Sequence, residues 1–201
     1  MGADLRSFKF KISDFRFAYR NSLSIEIEKK YRLSREQAEI FGRRLDEIGA
    51  ERSGSALEVN TLYSNPTLDL EGAILRLRRI GNRAILTFKK RFSSPSSIKR
   101  QLEEETEVED GDAMARILER LGFNPSLIYE KRRETWKHHS TEIAIDQLPF
   151  GWFMEIEGEE ADIVAVERAI GIDESSAEVA TYPALTRKFG RMVDDRIEAR
   201  F

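Results

Sequence analysis

The order of the charges constrains this chain more than any other feature. In segment after segment that alternates as a β-strand does, one face is ionisable and the other largely apolar. Glu26, Glu28 and Lys30 share a face, as do Arg76 and Arg78, Lys89 and Arg91, Lys131 and Arg133, and Glu155 and Glu157. Lys99, Glu103, Glu105 and Glu107 form a further set. The opposite faces are read as Ile25 and Ile27, Leu75 and Leu77, Ile85 with Leu86 and Phe88, Ile143 and Ile145, and Phe153 and Ile156. One such strand is ordinarily a sheet with a wet face. A whole series, sorted largely into cationic and anionic strands, asks for more, because a merely wet face has no reason to separate the signs. If helices cover the apolar faces, the charged faces line the inside of a closed sheet.

Helix signals fall where that arrangement needs them. Ser34 with Gln37 forms a capping box ahead of an Ala38, Phe41, Leu45, Ile48 stripe that ends at Gly49. Strands are predicted over 57–64, 73–80 and 83–91, the last two joined by Gly81-Asn82. A loop around Pro95 spans 93–97, and a strand spans 99–109. Met114, Ile117, Leu118 and Leu121 mark a helix stopped by Gly122. A strand over 127–136, a turn at His138-His139-Ser140, and strands over 141–147 and 152–158 follow. Residues 160–170 form a helix, and the tail through Val179, Tyr182, Leu185, Phe189, Val193 and Ile197 reads as helical around Pro183. The second half echoes the first. The expected fold is α+β: an eight-stranded antiparallel β-tunnel, a closed or nearly closed barrel of two pseudo-repeated halves with surrounding helices, over 24–201. Closure removes the exposed strand edges.

Residues 1–23 read as an N-terminal extension in which Phe8, Phe10, Phe15, Phe17 and Tyr19 are interleaved with Lys and Arg. Such a pattern could stack on nucleic acid. The balance of 33 Lys+Arg against 36 Asp+Glu, a net charge of −3, favours an extension packed on the body, so nucleic acid is not an expected partner. No apolar run is long enough for a membrane span and no secretory signal is visible, so a cytoplasmic protein is expected. The chain has no Cys and only 2 His. Chemistry must then rest on carboxylates, Lys, Arg or a bound metal. Opposed walls of buried charge cost several kcal/mol per unpaired ion. A polyphosphate held by the cations, and a divalent metal held by the carboxylates and bridging to phosphate oxygens, satisfies both walls. Hard oxygen donors suit Mg2+ or Mn2+ and disfavour zinc.

Glu26-Ile27-Glu28-Lys29-Lys30, Leu75-Arg76-Leu77-Arg78, Leu86-Thr87-Phe88-Lys89, Glu130-Lys131-Arg132-Arg133-Glu134 and Phe153-Met154-Glu155-Ile156-Glu157-Gly158 occur in that order. In order and spacing they resemble the CYTH superfamily, the triphosphate tunnel metalloenzymes, over about residues 24–190. That group includes class IV adenylate cyclases, thiamine triphosphatases, inorganic triphosphatases and fungal-type RNA triphosphatases. The resemblance implies that Lys30, Arg76, Arg78, Lys89 and Arg133, with Lys131 beside them, bind a triphosphate. It implies metal ligation by Glu155 and Glu157, and further acidic positions at Glu26, Glu28, Glu103, Glu105 and Asp146. Glu26, Glu28 and Lys30 are the candidates for orienting the attacking water. The stretch Leu62-Tyr63-Ser64-Asn65-Pro66 departs from the pattern of many relatives. The expected activity is metal-dependent hydrolysis of tripolyphosphate or a small organic triphosphate, and the substrate is the expected partner, with a homodimer as a further possibility. The alternatives are an adenylate cyclase and a non-catalytic polyphosphate or nucleotide sensor. The adjacent His138 and His139 are read as an exposed turn, since neighbours in a strand point to opposite faces.

Overall fold

A computed structural model describes residues 25–92 and 97–201. The first half runs β1 (Ile25–Leu33), α1 (Arg35–Glu47), β2 (Glu51–Ser64), α2 (Pro66–Glu71), β3 (Ala73–Ile80) and β4 (Arg83–Arg91). The second runs β5 (Lys99–Val108), α3 (Gly111–Arg120), β6 (Asn124–His138), β7 (Thr141–Leu148), β8 (Gly151–Glu157) and α4 (Glu160–Ile170). A tail carries α5 (Tyr182–Phe189), β9 (Arg191–Val193) and β10 (Arg196–Ala199). The N-terminal extension and most of the Pro95 loop lie outside the described residues.

The strands close on themselves in the order β2-β3-β4-β5-β1-β8-β7-β6, with β6 pairing back to β2. Every contact in that ring is antiparallel. Exchanging β1 with β5, β2 with β6, β3 with β7 and β4 with β8 leaves the set of pairings unchanged, so the sequence echo is a two-fold relation of topology. β10 adds in parallel to the part of β6 that β7 does not reach, at Leu127, Ile128 and Tyr129.

The helices cover the apolar faces, as the charge pattern requires. α1 and α4 lie over β1, β7 and β8, where Phe41, Leu45, Ile163 and Val166 pack with Ile143, Ile145, Met154 and Ile156. α3 covers Leu77, Ala84 and Leu86 with Leu118 and Met114. The Ser34 capping box forms as read, with the Gln37 amide donating to Ser34 Oγ at 3.1 Å. Lys29 is the exception on an apolar face. It is buried, but its ammonium pairs with Glu167 at 2.7 Å and Glu174 at 2.9 Å.

Several sequence expectations need correction. Phe153 belongs to the inner face with Glu155 and Glu157, and Ile85 to that of Thr87 and Lys89, because strand period is two. The tail helix is only eight residues long; Gly190 ends it, and Val193 and Ile197 lie in strands. The departing Leu62–Pro66 stretch ends in a helix start, where Asn65 Oδ1 accepts from the Leu68 amide at 2.8 Å and Pro66 takes the first turn. The strand after α1 begins at Glu51, earlier than the apolar alternation shows.

One end of the barrel is filled. Phe153, Leu62, Leu127, Leu148 and Tyr129 form an apolar cluster with Tyr182 and Leu185 of α5. The segment before α5 is tied to β1: the Glu178 amide donates to the Lys30 carbonyl at 2.7 Å, and Ala177 bridges to Tyr31. The interior is therefore a cup, with α5 at its floor.

Candidate active site

Strand alternation delivers a charged lining to a cavity of about 320 Å³. β1 contributes Glu26, Glu28 and Lys30; β3 contributes Arg76 and Arg78; β4 contributes Lys89. β5 adds Gln101, Glu103 and Glu105, β6 adds Tyr129, Lys131 and Arg133, and β8 adds Glu155 and Glu157. Thr181, Tyr182 and Pro183 close the floor. Of the site residues that the resemblance implies, all but Asp146 line this one space, and Asp146 lies against it through Arg133, whereas Arg91, Lys99 and Glu107 of the charged faces are not in the lining.

The charges are sorted by depth as well as by strand. Lys30, Lys131, Arg76 and Asp146 are buried, whereas Glu105, Glu142 and Glu157 are exposed. Cations and their counter-ions thus occupy the bottom, and carboxylates the rim. The sequence showed the first sorting and not the second, since depth depends on strand stagger around the barrel.

At the bottom the cations are held at different tensions. Arg133 forms a two-pronged pair with Asp146, Nε to Oδ1 at 2.8 Å and Nη2 to Oδ2 at 2.7 Å, and also reaches Glu155 at 2.5 Å. Tyr182 donates its hydroxyl to Asp146 Oδ2 at 2.7 Å, and Lys131 lies 3.3 Å from the same oxygen. Asp146 is thus fully engaged in positioning. Lys30 Nζ lies 3.3 Å from Glu155 and 3.8 Å from the centre of the Tyr182 ring, and donates to the Ala180 carbonyl at 3.3 Å. Burial pulls the Lys30 ammonium down to about 8, against the pull of Glu155. Burial would raise Glu155, but Lys30 and Arg133 hold it well below the ordinary carboxylate range. Arg76 and Arg78 are held loosely. Arg76 stands 3.8 Å from Glu105 and 4.0 Å from Glu103, Arg78 stands 3.5 Å from Glu58, and neither Nε has a hydrogen-bond partner.

Glu58 and Asn60 of β2 and the tyrosines Tyr129 and Tyr182 are absent from the sequence-based site. Glu58 is buried between Arg78 at 3.5 Å and Lys131 at 3.3 Å. The alternation Leu57-Glu58-Val59-Asn60 carries the same inner-polar signal as the other strands and could have revealed it. Burial alone would raise the Glu58 carboxyl, but Lys131, Arg133 and Arg78 hold it at about 2. A carboxyl depressed on folding adds stability above its unfolded value of 4.5 and loses it as pH falls towards 2. Glu58→Gln is therefore expected to lower stability at neutral pH and to flatten its decline between about pH 5 and pH 2. Denaturant midpoints across that range check this; an unchanged acid slope contradicts it.

At the rim the balance reverses. Lys89 pairs with Glu26 at 2.8 Å and with Glu103, leaving more carboxylates than cations. Burial and its hydrogen bond to Glu26 push the Glu103 carboxyl up, while hydrogen bonds to Glu103 and Lys89 hold Glu26 down against its burial. Burial and the charges of Glu26 and Glu142 push Glu157 up to about 7. This excess of hard anionic oxygen fits a divalent cation. Among the described residues no three acidic, His or Cys side chains converge to complete a protein-only metal shell. Metals of the magnesium type commonly take one or two carboxylates and complete the shell with water and substrate phosphates, so the donor set fits that mode. His138 closes β6, paired with Thr141, and is only half-buried, so the expected turn is confined to His139 and Ser140, with His139 exposed at a φ of 52°. No helix among the described residues is long and apolar enough to cross a membrane.

Comparison with known proteins agrees with the geometry. The PH1819 protein of Pyrococcus horikoshii superposes with a TM-score of 0.65 at 27% identity, over 81% of this chain and 98% of that one. A candidate adenylate cyclase from Vibrio parahaemolyticus gives 0.66 at 23% identity, over 79% and 95%. A candidate adenylyl cyclase from Hippeastrum, described as having a dominant triphosphatase activity, gives 0.62 at 16% identity, over 86% and 99%. No curated protein matches the chain. The CYTH domain profile matches residues 24–180. The chain belongs to the CYTH family, whose members are triphosphatases or adenylate cyclases acting on triphosphate substrates.

Proposed function

We propose that this protein is a divalent-metal-dependent triphosphatase that takes inorganic tripolyphosphate, or a small organic triphosphate, into the barrel. The observation that carries the reading is the unsatisfied cationic end of the cavity. Arg76 and Arg78 keep buried guanidinium N–H groups without acceptors, beside Lys30, Lys131 and Arg133. Phosphoryl oxygens are the acceptors that fit, with Arg forks gripping two at a time and Lys acting as a point charge.

Hydrolysis of a terminal phosphoryl group then depends on position and charge. Arg76, Arg78 and Arg133, with Lys30, Lys89 and Lys131, hold the chain of phosphates. Asp146 and Tyr182 fix Arg133 and the floor. One or two of the rim carboxylates Glu26, Glu103 and Glu157 would hold the metal, with Glu28, Glu105 and Glu155 on the same lining; when bound, it neutralises phosphate charge and acidifies water. Glu26 and Glu28 face the cavity where a water can be oriented, and Lys30 bounds that side. Water attack breaks the terminal P–O–P bond and releases orthophosphate, leaving pyrophosphate from tripolyphosphate or the organic diphosphate from an organic triphosphate.

The likeness to candidate cyclases makes ring closure of ATP the second reading. It needs a nucleoside pocket at the mouth. Against it, the rings lining the cavity belong to Tyr129 and Tyr182, both buried at the cationic end, and exposed carboxylates dominate the described rim. Initial rates with tripolyphosphate, thiamine triphosphate and ATP, each with and without Mg2+ or Mn2+, test the proposal. Fast metal-dependent release of orthophosphate from tripolyphosphate is expected. Equal rates after the metal is chelated would rule out the metal-dependent reading.

A further inference from the structure

Asn60 is fully buried, and neither atom of its side-chain amide has a hydrogen-bond partner. Buried polar groups are nearly always satisfied, and leaving one unmet costs stability. Asn60 lies in β2 directly opposite Arg78 of β3 on one side and Tyr129 of β6 on the other. By strand alternation it shares the inner face with Glu58, which contacts Arg78 and Lys131, and with Leu62, which lines the cavity. Its cross-strand neighbour Arg78, and Arg76 next along β3, each hold an unmatched Nε–H. With Glu58 Oε2, five unsatisfied buried polar atoms therefore gather at one corner, where β2 meets β3.

We infer that Asn60 is a substrate-contacting residue: its amide N–H donates to an oxygen of the phosphoryl group gripped by Arg76 and Arg78. The inference rests on the triphosphate reading and adds a neutral reader to a cationic subsite. An amide there donates a hydrogen bond without adding charge to two mutually repelling guanidinium groups, which a Lys or Arg would do. Its carbonyl oxygen remains to accept from a neighbouring donor, and the Tyr129 side lies in register. The unmet atoms are the cost of being ready for the ligand.

The test is calorimetric titration of tripolyphosphate, with and without magnesium, into wild type, Asn60→Leu and Asn60→Ala, with melting temperatures of the empty proteins. Asn60→Leu keeps approximate shape and removes the unmet atoms. It is expected to bind tripolyphosphate roughly 10- to 100-fold more weakly, while melting at the same temperature or about 2–4 °C higher. Should the larger side chain prevent folding, the affinity of Asn60→Ala decides in its place. The same loss must persist in an Arg78→Ala background; a loss that vanishes there would mean Asn60 only positions Arg78, and overturns direct contact. Wild-type affinity in folded Asn60 variants, with a lower melting temperature, also overturns it and leaves the triphosphate reading standing. A wild-type protein that takes up no tripolyphosphate overturns both.

Discussion

Replacing Arg133 with alanine is expected to cost the protein about 3–5 kcal/mol of stability, the usual penalty for stranding buried partners of an ion pair. The guanidinium satisfies both oxygens of Asp146 and reaches Glu155. Asp146 is fully buried, and its other nearby donors among the described residues are Tyr182 and Lys131. Without Arg133 two carboxylates face each other across a space that water reaches poorly. At this size the loss corresponds to a fall in melting temperature on the order of 10 °C. Guanidinium or urea denaturation measures it, and a change under about 1 kcal/mol would show that Arg133 is held for substrate alone.

Arg76→Ala is expected to behave in the opposite way. Its ionic contacts are long, at 3.8 Å to Glu105 and 4.0 Å to Glu103, and its side-chain hydrogen bonds go to neutral hydroxyls, Thr87 at 3.2 Å and Tyr129. Burial lowers the affinity of Arg78 for its proton, and the charge of Arg76 lowers it further; Arg76 opposes the charge of Lys89 as well. Removing it relieves that repulsion in the empty cup, so melting temperature should hold or rise. Tripolyphosphate affinity should fall about 100-fold or more, since charge-assisted bonds to phosphate are worth about 1.5–3 kcal/mol each. A sharp fall in stability with affinity intact would make Arg76 a structural ion-pair partner. The contrast with Arg133 follows from geometry: one arginine is saturated by protein carboxylates, and the other is kept short of them.

Much of this site is legible in sequence because a strand has a period of two, and an inner face of ionisable residues can be read residue by residue. Glu26, Glu28, Lys30, Arg76, Arg78, Lys89, Arg133, Glu155 and Glu157 were all placed on the lining by that rule, and all line the cavity. The same rule puts Phe153 and Ile85 on the inner face, although their apolar chemistry suggests the helix side. Phe153 is inside because that end of the barrel is filled. Glu58 and Asn60 carry the same alternation, Leu57-Glu58-Val59-Asn60, but fall in none of the motif segments that single out the other lining residues. The depth sorting, the floor formed by Tyr182 and the hold of Asp146 on Arg133 all depend on which strand ends meet in space. A short helix with Thr181 as its cap and Pro183 in its first turn is visible locally; that it enters the barrel end is tertiary information.

The most direct test of hydrolysis against ring closure is the identity of the phosphorus products from ATP, with tripolyphosphate run beside it under Mg2+ or Mn2+. Phosphorus NMR resolves orthophosphate, pyrophosphate and the nucleotide product in one mixture. The expected result is that tripolyphosphate converts to equal amounts of orthophosphate and pyrophosphate, while ATP reacts more slowly and gives orthophosphate with ADP. Cyclic AMP and pyrophosphate from ATP, with tripolyphosphate left intact, would contradict it.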